Sequence, residues 1–175
     1  MPEYRRWHEP GGTYFFTVNL ADRRKHLLVE HIAELRAAIA AVRRAHPFEI
    51  DAAVVLPDHL HMIWTLPEGD RNFSTRWRLL KARFAMAFPA GPDLRASLRR
   101  RAEKGIWQRR FFEHLVRDED DFAAHVDYIH YNPVKHGHVS RPVDWPHSSI
   151  HRFIQQGIVD PQWGTSGRIG DMDLD

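Results

Sequence analysis

The order of strand-like and helix-like segments constrains the fold of this chain more than any other feature. Four segments have the β-branched and aromatic composition, or the apolar alternation, that is typical of strands. They cover residues 13–20, 48–56, 59–66 and 106–116. Helical spacing of apolar residues predicts helices over residues 29–46 and 74–88, with Ser74 as N-cap of the second. The order β-α-β-β-α-β predicts an α+β, ferredoxin-like sandwich, in which an antiparallel sheet carries its helices on one face.

Additional helical elements are expected after the fourth strand. The acidic cluster at residues 118–121 suits a helix N-terminus, because negative charge there is favoured by the helix dipole. This helix should end near Asn132, before Pro133. A short helix is expected over residues 148–156.

Composition excludes several classes of protein. The chain has no cysteines, which excludes disulfides and thiolate metal sites. No apolar run approaches the roughly 18 residues that a membrane span needs, and the N-terminus lacks the apolar stretch of a signal peptide. We therefore expect a cytoplasmic protein with no membrane partner. Its 175 residues fit one domain, which we place at residues 1–163, followed by an acidic tail at residues 164–175 that we expect to be disordered.

A histidine pair lies within the third predicted strand. Side chains two residues apart point to the same side of a strand, so His59 and His61 share one face. The even-numbered residues from 60 to 66 form the other, fully apolar face, which must point to the core. Two adjacent imidazoles on a strand can bind one metal ion. A chance His-x-His among 13 histidines is the alternative. Asp58 beside the pair either supports a ligand or is only a turn residue.

The helix predicted after the acidic cluster contains two tyrosines. Tyr131 lies almost opposite its apolar face, toward solvent. Tyr128 and Asn132 lie together on one flank because they are four residues apart, with His125 close by. From this flank a side chain can reach over a sheet edge to a site there. The pattern favours Tyr128 as a chemical group and Asn132 as a third metal ligand; a packed tyrosine with a hydrogen-bonded hydroxyl is the alternative.

Positive charge is concentrated in one segment, although the net charge is only +2. Eleven Lys and Arg residues lie between Arg76 and Arg110, against Asp93 and Glu103 alone. Such a segment is either a solvated helix face or a surface for a phosphate backbone, and interleaved aromatic residues favour the second. The candidate backbone contacts, which include two N-terminal arginines, are Arg5, Arg6, Arg76, Arg78, Lys81, Arg83, Arg109 and Arg110. The candidates for stacking on bases are Trp77, Phe84, Trp107 and Phe111.

Several separated segments resemble one family of DNA-processing enzymes. They are the strand VVLPDHLHMIW, the stretch GIWQRRFFEHLVRDEDDF, and the run YIHYNPVKHGHV followed by DWPHSS. The opening RRW and GGTYFFTVNLADRR agree as well, so the resemblance covers residues 4–163. On these motifs the chain resembles the single-tyrosine HUH transposases, and within them the branch of REP-associated tyrosine transposases.

The resemblance implies one HUH transposase-like domain of ferredoxin-like fold that acts on imperfect palindromes folded as hairpins and cuts DNA beside a short tetranucleotide. By position, His59 and His61 match the histidine pair and Tyr128 matches the nucleophile. Asn132 stands where many relatives of the broader group have glutamine as third ligand, and its side chain is one methylene shorter. The broader group includes dimers, whereas this branch is described as monomeric, so monomer and homodimer both stay open.

The resulting hypothesis is a metal-dependent single-strand DNA endonuclease and strand transferase. His59, His61 and Asn132 would hold Mg²⁺ or Mn²⁺, and Tyr128 would attack the phosphate to leave a 5′-phosphotyrosine and a free 3′-OH. The covalent link conserves the energy of the phosphodiester, so no nucleotide cofactor is needed. The enzyme would be cytoplasmic and associated with the nucleoid when bound to DNA. Two alternatives stay open: a hairpin-binding protein that has lost cleavage, and a metal-dependent hydrolase that uses water.

Overall fold

The centre of the fold is a four-stranded antiparallel sheet in the order β2-β3-β1-β4. The computed structural model describes residues 8–91, 94–101 and 103–166. The strands are β1 (Thr13–Asn19), β2 (Glu49–Val55), β3 (His59–Thr65) and β4 (Phe112–Leu115). This strand order is that of the ferredoxin-like fold, so the predicted class is confirmed. Arg5, Arg6 and most of the tail predicted to be disordered lie outside the described residues.

Helices connect the strands and cover both faces of the sheet. Between β1 and β2 lie α1 (Leu27–Glu30) and α2 (Ile32–Ala45), and between β3 and β4 lie α3 (Phe73–Ala85) and α4 (Ala96–Arg100). After β4 come α5 (Glu119–Lys135), a 3₁₀ turn (Pro142–Asp144) and α6 (Ile150–Gln155). No helix in the described part of the chain is both long and apolar enough to cross a membrane.

The larger hydrophobic core lies between the sheet and the two crossover helices, α2 and α3. Leu60, Met62 and Trp64 of β3 point into it, as their alternation predicts. The indole rings of Trp64 and Trp77 stack with centroids 4.2 Å apart and join the sheet to α3. Burial of side chains of this size stabilises the fold by about 2–3 kcal/mol each. A slip of one residue would place His61 in this core, so the apolar face fixes the register of β3.

The opposite face of the sheet is covered by α5. Val126 and Ile129 of this helix pack on Phe15, Val54 and Ile63 of the sheet. The predicted C-terminal helices therefore add a third layer to the sandwich. This arrangement closes the histidine face of β3 between the sheet and α5.

The N-terminus of α3 differs from the prediction. The helix begins at Phe73, and Asn72 rather than Ser74 is its N-cap. The Asn72 Oδ1 accepts a hydrogen bond from the Thr75 backbone N–H at 3.1 Å, which satisfies a donor in the first turn. Both residues are good caps by type, so residue type alone does not decide between them.

Two other predicted elements are interrupted. The strand expected over residues 106–116 is regular only in β4, because the earlier part makes scattered contacts such as the isolated bridge between Trp107 and Leu20. The helix expected over residues 29–46 is divided at His31, whose backbone angles leave the helical region.

The tyrosine helix continues beyond its predicted end. α5 runs through Pro133 to Lys135 instead of ending near Asn132. A proline inside a helix removes the hydrogen bond from its own nitrogen to the carbonyl four residues earlier, here that of Ile129. Pro133 is buried, and the packing of this last turn against the rest of the molecule outweighs the loss.

The segment at residues 145–149 lies along the outer edge of β2. The Val55 N–H donates to the His147 carbonyl at 2.9 Å, and the Ser149 N–H donates to the Ala53 carbonyl at 2.8 Å. These bonds occupy backbone N–H and carbonyl groups on the outer edge of β2, which would otherwise be open to solvent or to another chain.

Candidate active site

The predicted histidine pair lies on the sheet face that α5 covers. His59 and His61 are both buried, and their ring centroids are 5.0 Å apart. Their separation follows from the pleat of β3, which places alternate side chains on one side. The sequence prediction of two adjacent imidazoles on one face is therefore confirmed.

Each imidazole is held by a hydrogen bond at its Nδ1 atom. The His59 Nδ1 donates to Asp58 Oδ1 at 2.7 Å, and the His61 Nδ1 is bonded to Thr17 Oγ1 at 2.8 Å. Bonds at Nδ1 leave Nε2 of each ring for another partner. The His61 Nε2 is buried and has no hydrogen-bond partner among the described residues. Such an atom is costly to bury unless a ligand occupies it.

Asp58 is fixed from its other side by Arg23, whose Nε donates to the Asp58 carboxylate. Burial raises the pKa of Asp58, but the hydrogen bonds from Arg23 and His59 outweigh it and hold the pKa below its usual value. Asp58 therefore stays ionised and accepts the hydrogen bond from His59 Nδ1–H, which orients the ring. This supports the interpretation of Asp58 as more than a turn residue.

Both imidazoles are kept in the neutral form that binds metal ions. Burial lowers the pKa of His61 well below its usual value, and the neighbouring His59 and His136 lower it further. Burial also lowers the pKa of His59, against the opposing effect of Asp58. The His136 ring lies 5.0 Å from that of His59. The position of His136 close to His59 was not predicted from the sequence, because His136 comes after the last residue of α5.

Tyr128 faces the histidines from α5. Its ring lies 5.2 Å from that of His61 and 5.9 Å from that of Phe15, both edge-on, and only 2% of the residue is exposed. The Lys135 ammonium lies 5.0 Å from the centre of the Tyr128 ring. Tyr128 thus lies over the middle of the sheet face rather than reaching over a sheet edge. Tyr131, predicted to face solvent, is instead half-buried and lies edge-on to Trp163, with ring centroids 6.4 Å apart.

Asn132 joins the same group of side chains. It is fully buried, and neither its Oδ1 nor its Nδ2 has a hydrogen-bond partner of regular geometry in the described residues. It lies close enough to His59 to act on the pKa of that imidazole as a hydrogen-bonding neighbour, which raises the pKa against the larger lowering by burial. The Asn132 Oδ1 and the His61 Nε2, which lack such partners, are ligand atoms of the kind that bind a divalent ion of intermediate hardness.

A second cluster on the same sheet face was not predicted. His114 of β4 and His125 of α5 stack with centroids 4.6 Å apart, and Asp121 joins them. The His114 Nε2 donates to Asp121 Oδ2 at 2.8 Å, and the His125 Nδ1 donates to the Asp121 carbonyl at 2.7 Å. One ligand atom from each residue lies within 4.8 Å of the others, so this cluster could also hold a metal ion.

Hydrogen bonding separates the two candidate metal sites. Burial raises the pKa of Asp121, but bonds from the Arg117 amide and His114 outweigh it and lower the pKa to about 2. The polar atoms of this cluster therefore satisfy one another and tie β4 to α5. In contrast, His61 and Asn132 have buried atoms with no such partner among the described residues. The predicted site is the better candidate.

Arg76 is not available for the predicted contact with DNA. It is only 3% exposed, and its guanidinium donates to Asp70 at 2.8 and 3.2 Å. It also donates to three backbone carbonyls, those of His46, Pro47 and Asn72. The prediction from charge clustering is wrong at this residue, because the guanidinium joins three segments of the fold.

The other predicted basic contacts differ in their availability. Arg78, Arg83, Arg109 and Arg110 are exposed. Lys81 is half-buried, and its Nζ donates to the Gln108 carbonyl at 2.8 Å.

The aromatic residues predicted to stack on bases are not available as a set. Trp77 and Phe84 are fully buried in the larger core. Trp107 and Phe111 are half-buried and pack against the same core. The prediction of base stacking is therefore wrong for Trp77 and Phe84, whose spacing reflected core packing, and stays a prediction for Trp107 and Phe111.

The comparisons with known proteins agree on one group. No family model matches the sequence. A REP-associated tyrosine transposase of Escherichia coli (strain K12) is 50% identical over 163 residues, which cover 93% of this chain and 91% of the relative. A relative from Haemophilus influenzae with the same family description is 46% identical over 165 residues, 94% of each chain. A solved REP-associated tyrosine transposase bound to a REP hairpin has a TM-score of 0.82 and 50% identity, and the match covers 93% of this chain and 91% of that one.

Proposed function

The chain belongs to the REP-associated tyrosine transposases, a family of DNA-cleaving enzymes, and we propose that it cuts and rejoins single-stranded DNA through a covalent bond to Tyr128. The substrate would be hairpin DNA formed by palindromic repeats, with unpaired flanks. This substrate is suggested by the solved relative, which is bound to a REP hairpin. The enzyme would be associated with the nucleoid while bound.

The observation that carries the proposal is the proximity of the Tyr128 ring to the His61 imidazole. Their rings are 5.2 Å apart in a buried site, and the His61 Nε2 has no partner among the described residues. A tyrosine that served only to fill the core would not need unpartnered imidazole and amide atoms beside it. Together with His59, these atoms fit Mn²⁺ or Mg²⁺, of which Mn²⁺ suits imidazole better. When bound, such an ion offsets negative charge on the scissile phosphate.

The protein residues around this site have separate tasks. Tyr128 attacks the phosphorus: the bond from its Oη to phosphorus forms, the bond from phosphorus to the 3′ oxygen breaks, and that oxygen takes a proton to become a free 3′-OH. Lys135 places positive charge over the ring on which phenolate charge would spread. Asp58 and Thr17 hold the two imidazoles in fixed orientations. The reverse reaction with another 3′-OH rejoins the strand and needs no nucleotide cofactor.

The experiment uses hairpin oligonucleotides from palindromes beside the gene, labelled at the 5′ or the 3′ end. The protein is incubated with each oligonucleotide in Mn²⁺ or Mg²⁺, and the products are separated on a denaturing protein gel. We expect the 3′-terminal fragment to migrate with wild-type protein and not with Tyr128→Phe. Tyr131→Phe is the matched control, because that tyrosine lies on the same helix but faces Trp163.

Each of the other outcomes would indicate a different function or mechanism for this protein. Cleavage without a protein-linked label would indicate a water nucleophile. Binding without cleavage in either metal would indicate a hairpin-binding protein that has lost the reaction. An adduct that persists in Tyr128→Phe and disappears in Tyr131→Phe would show that Tyr131 is the nucleophile.

A further inference from the structure

One large hydrophobic side chain is exposed on the sheet next to the candidate site. Phe112 is 48% exposed and lies on β4, which pairs only with β1 among the described strands. The other exposed large hydrophobic residues of the described chain, Met86 and Ile158, lie outside the sheet. Single exposed hydrophobic residues are common on protein surfaces. The position of Phe112, rather than its exposure alone, requires an explanation.

Strand register places Phe112 on the face that carries the site. Phe112 is the cross-strand partner of Thr17, and paired residues of an antiparallel sheet point to the same side. Thr17 is hydrogen-bonded to the His61 imidazole. One residue therefore separates Phe112 from the histidine pair.

The Phe112 ring is supported from behind. Phe15 meets it edge-on with ring centroids 6.3 Å apart, and the same Phe15 stacks on His61 at 5.5 Å. Phe15 is buried, so the exposed ring has a packed neighbour on the side of the site. Arg110, two residues earlier in the chain and just before β4 begins, is exposed and brings positive charge to the same segment.

We propose that Phe112 is the platform on which an unpaired base next to the scissile phosphate stacks, with Arg110 contacting the adjoining backbone. This inference rests on the proposed function, because it places the DNA strand across the face that holds Tyr128. Of the aromatic residues of the basic segment, Trp77 and Phe84 are buried in the core and Trp107 and Phe111 pack partly against it, whereas Phe112 offers an exposed aromatic surface beside the site. Stacking accepts any base, so Phe112 contributes affinity for single-stranded flanks without selecting their sequence.

The test measures binding and not cleavage. In a Tyr128→Phe background, the affinity for a fluorescent hairpin is compared with and without a single-stranded flank, for Phe112→Ala, Phe112→Leu and Phe112→Trp. We expect Phe112→Ala and Phe112→Leu to bind the flanked hairpin about 5- to 150-fold more weakly. Phe112→Trp should keep nearly full affinity, and all variants should bind the unflanked hairpin equally.

A fluorescent base in the flank gives a second readout of the same contact. Stacking on an aromatic ring quenches the fluorescence of 2-aminopurine, so the label is placed in the flank beside the scissile phosphate. At saturating concentration, the protein with Phe112 and the Phe112→Trp variant should both quench the fluorescence of the label. The quenching should be smaller for Phe112→Leu at saturation.

The refuting results are distinct from those for the proposed function. Equal loss on both hairpins would mean that Phe112 acts through the fold, and wild-type binding by Phe112→Leu would mean that the aromatic ring is not needed. Either result overturns the inference even if the covalent adduct with Tyr128 forms. Because binding is measured without cleavage, a failure of the adduct experiment leaves this test readable.

Discussion

Replacing Arg76 by alanine should damage the fold and not the DNA contact. The substitution removes a guanidinium that donates to Asp70 and to the carbonyls of His46, Pro47 and Asn72. Removing one partner of a buried ion pair costs about 3–5 kcal/mol. A third of the Asp70 side chain is exposed, so water can compensate it in part and the lower value, about 3 kcal/mol, is expected. For a protein of this size the melting temperature should fall by about 6–12 °C.

The assay combines unfolding with DNA binding in two matched variants. Urea unfolding followed by tryptophan fluorescence gives the stability of Arg76→Ala and of Arg78→Ala, which changes an exposed arginine on the same helix. We expect Arg78→Ala to lie within about 0.5 kcal/mol of wild type. If Arg78 contacts a phosphate, its loss should lower the salt dependence of hairpin binding by about one counterion, whereas folded Arg76→Ala keeps the wild-type slope.

The opposite pattern would refute the argument from burial. A wild-type unfolding midpoint for Arg76→Ala, with a reduced salt slope, would show that its guanidinium contacts DNA. In that case the hydrogen bonds to the three carbonyls would contribute little to the fold.

Two further predictions concern the metal site and pH. Asn132→Ala should weaken Mn²⁺ binding, measured by calorimetry, by at least about 10-fold. Loss of binding in His114→Ala instead would move the ion to the second cluster. Burial raises the pKa of Asp51, against a hydrogen bond from Thr65 Oγ1 at 2.7 Å. A raised carboxyl pKa means that the folded state loses stability as pH rises from the ordinary carboxyl range through the folded pKa. Asp51→Asn keeps an acceptor for Thr65 and should be more stable than wild type in urea at about pH 7, with no such gain at about pH 3; an equal gain at both would contradict this.

The sequence predicted those parts of the site that depend on local periodicity. His59 and His61 share a face because a strand has a period of two, and the apolar residues between them leave no other orientation. Tyr128 was preferred over Tyr131 from helical angles alone, and the structure places Tyr128 beside His61 and Tyr131 beside Trp163. Their chemical roles remain predictions.

Features that depend on contacts between distant segments were not predictable. Arg76 belonged to a basic run by composition, but its burial arises from the loop at residues 46–47, about thirty positions earlier. The Thr17 bond to His61 and the position of Phe112 follow from the pairing of β1 with two neighbours. The continuation of α5 through Pro133 goes against local preference, because proline is unfavourable inside a helix, and is a feature of the tertiary structure.

The segment at residues 145–149 has a consequence for the time course of synthesis. All four strands have left the ribosome once Leu115 has emerged, yet the outer edge of β2 is covered only when Ser149 follows. During that interval the nascent sheet presents free backbone donors and acceptors to any neighbouring chain. A nascent chain stalled before Trp145 would keep this edge open, so the last part of the domain also protects the first part from misassembly.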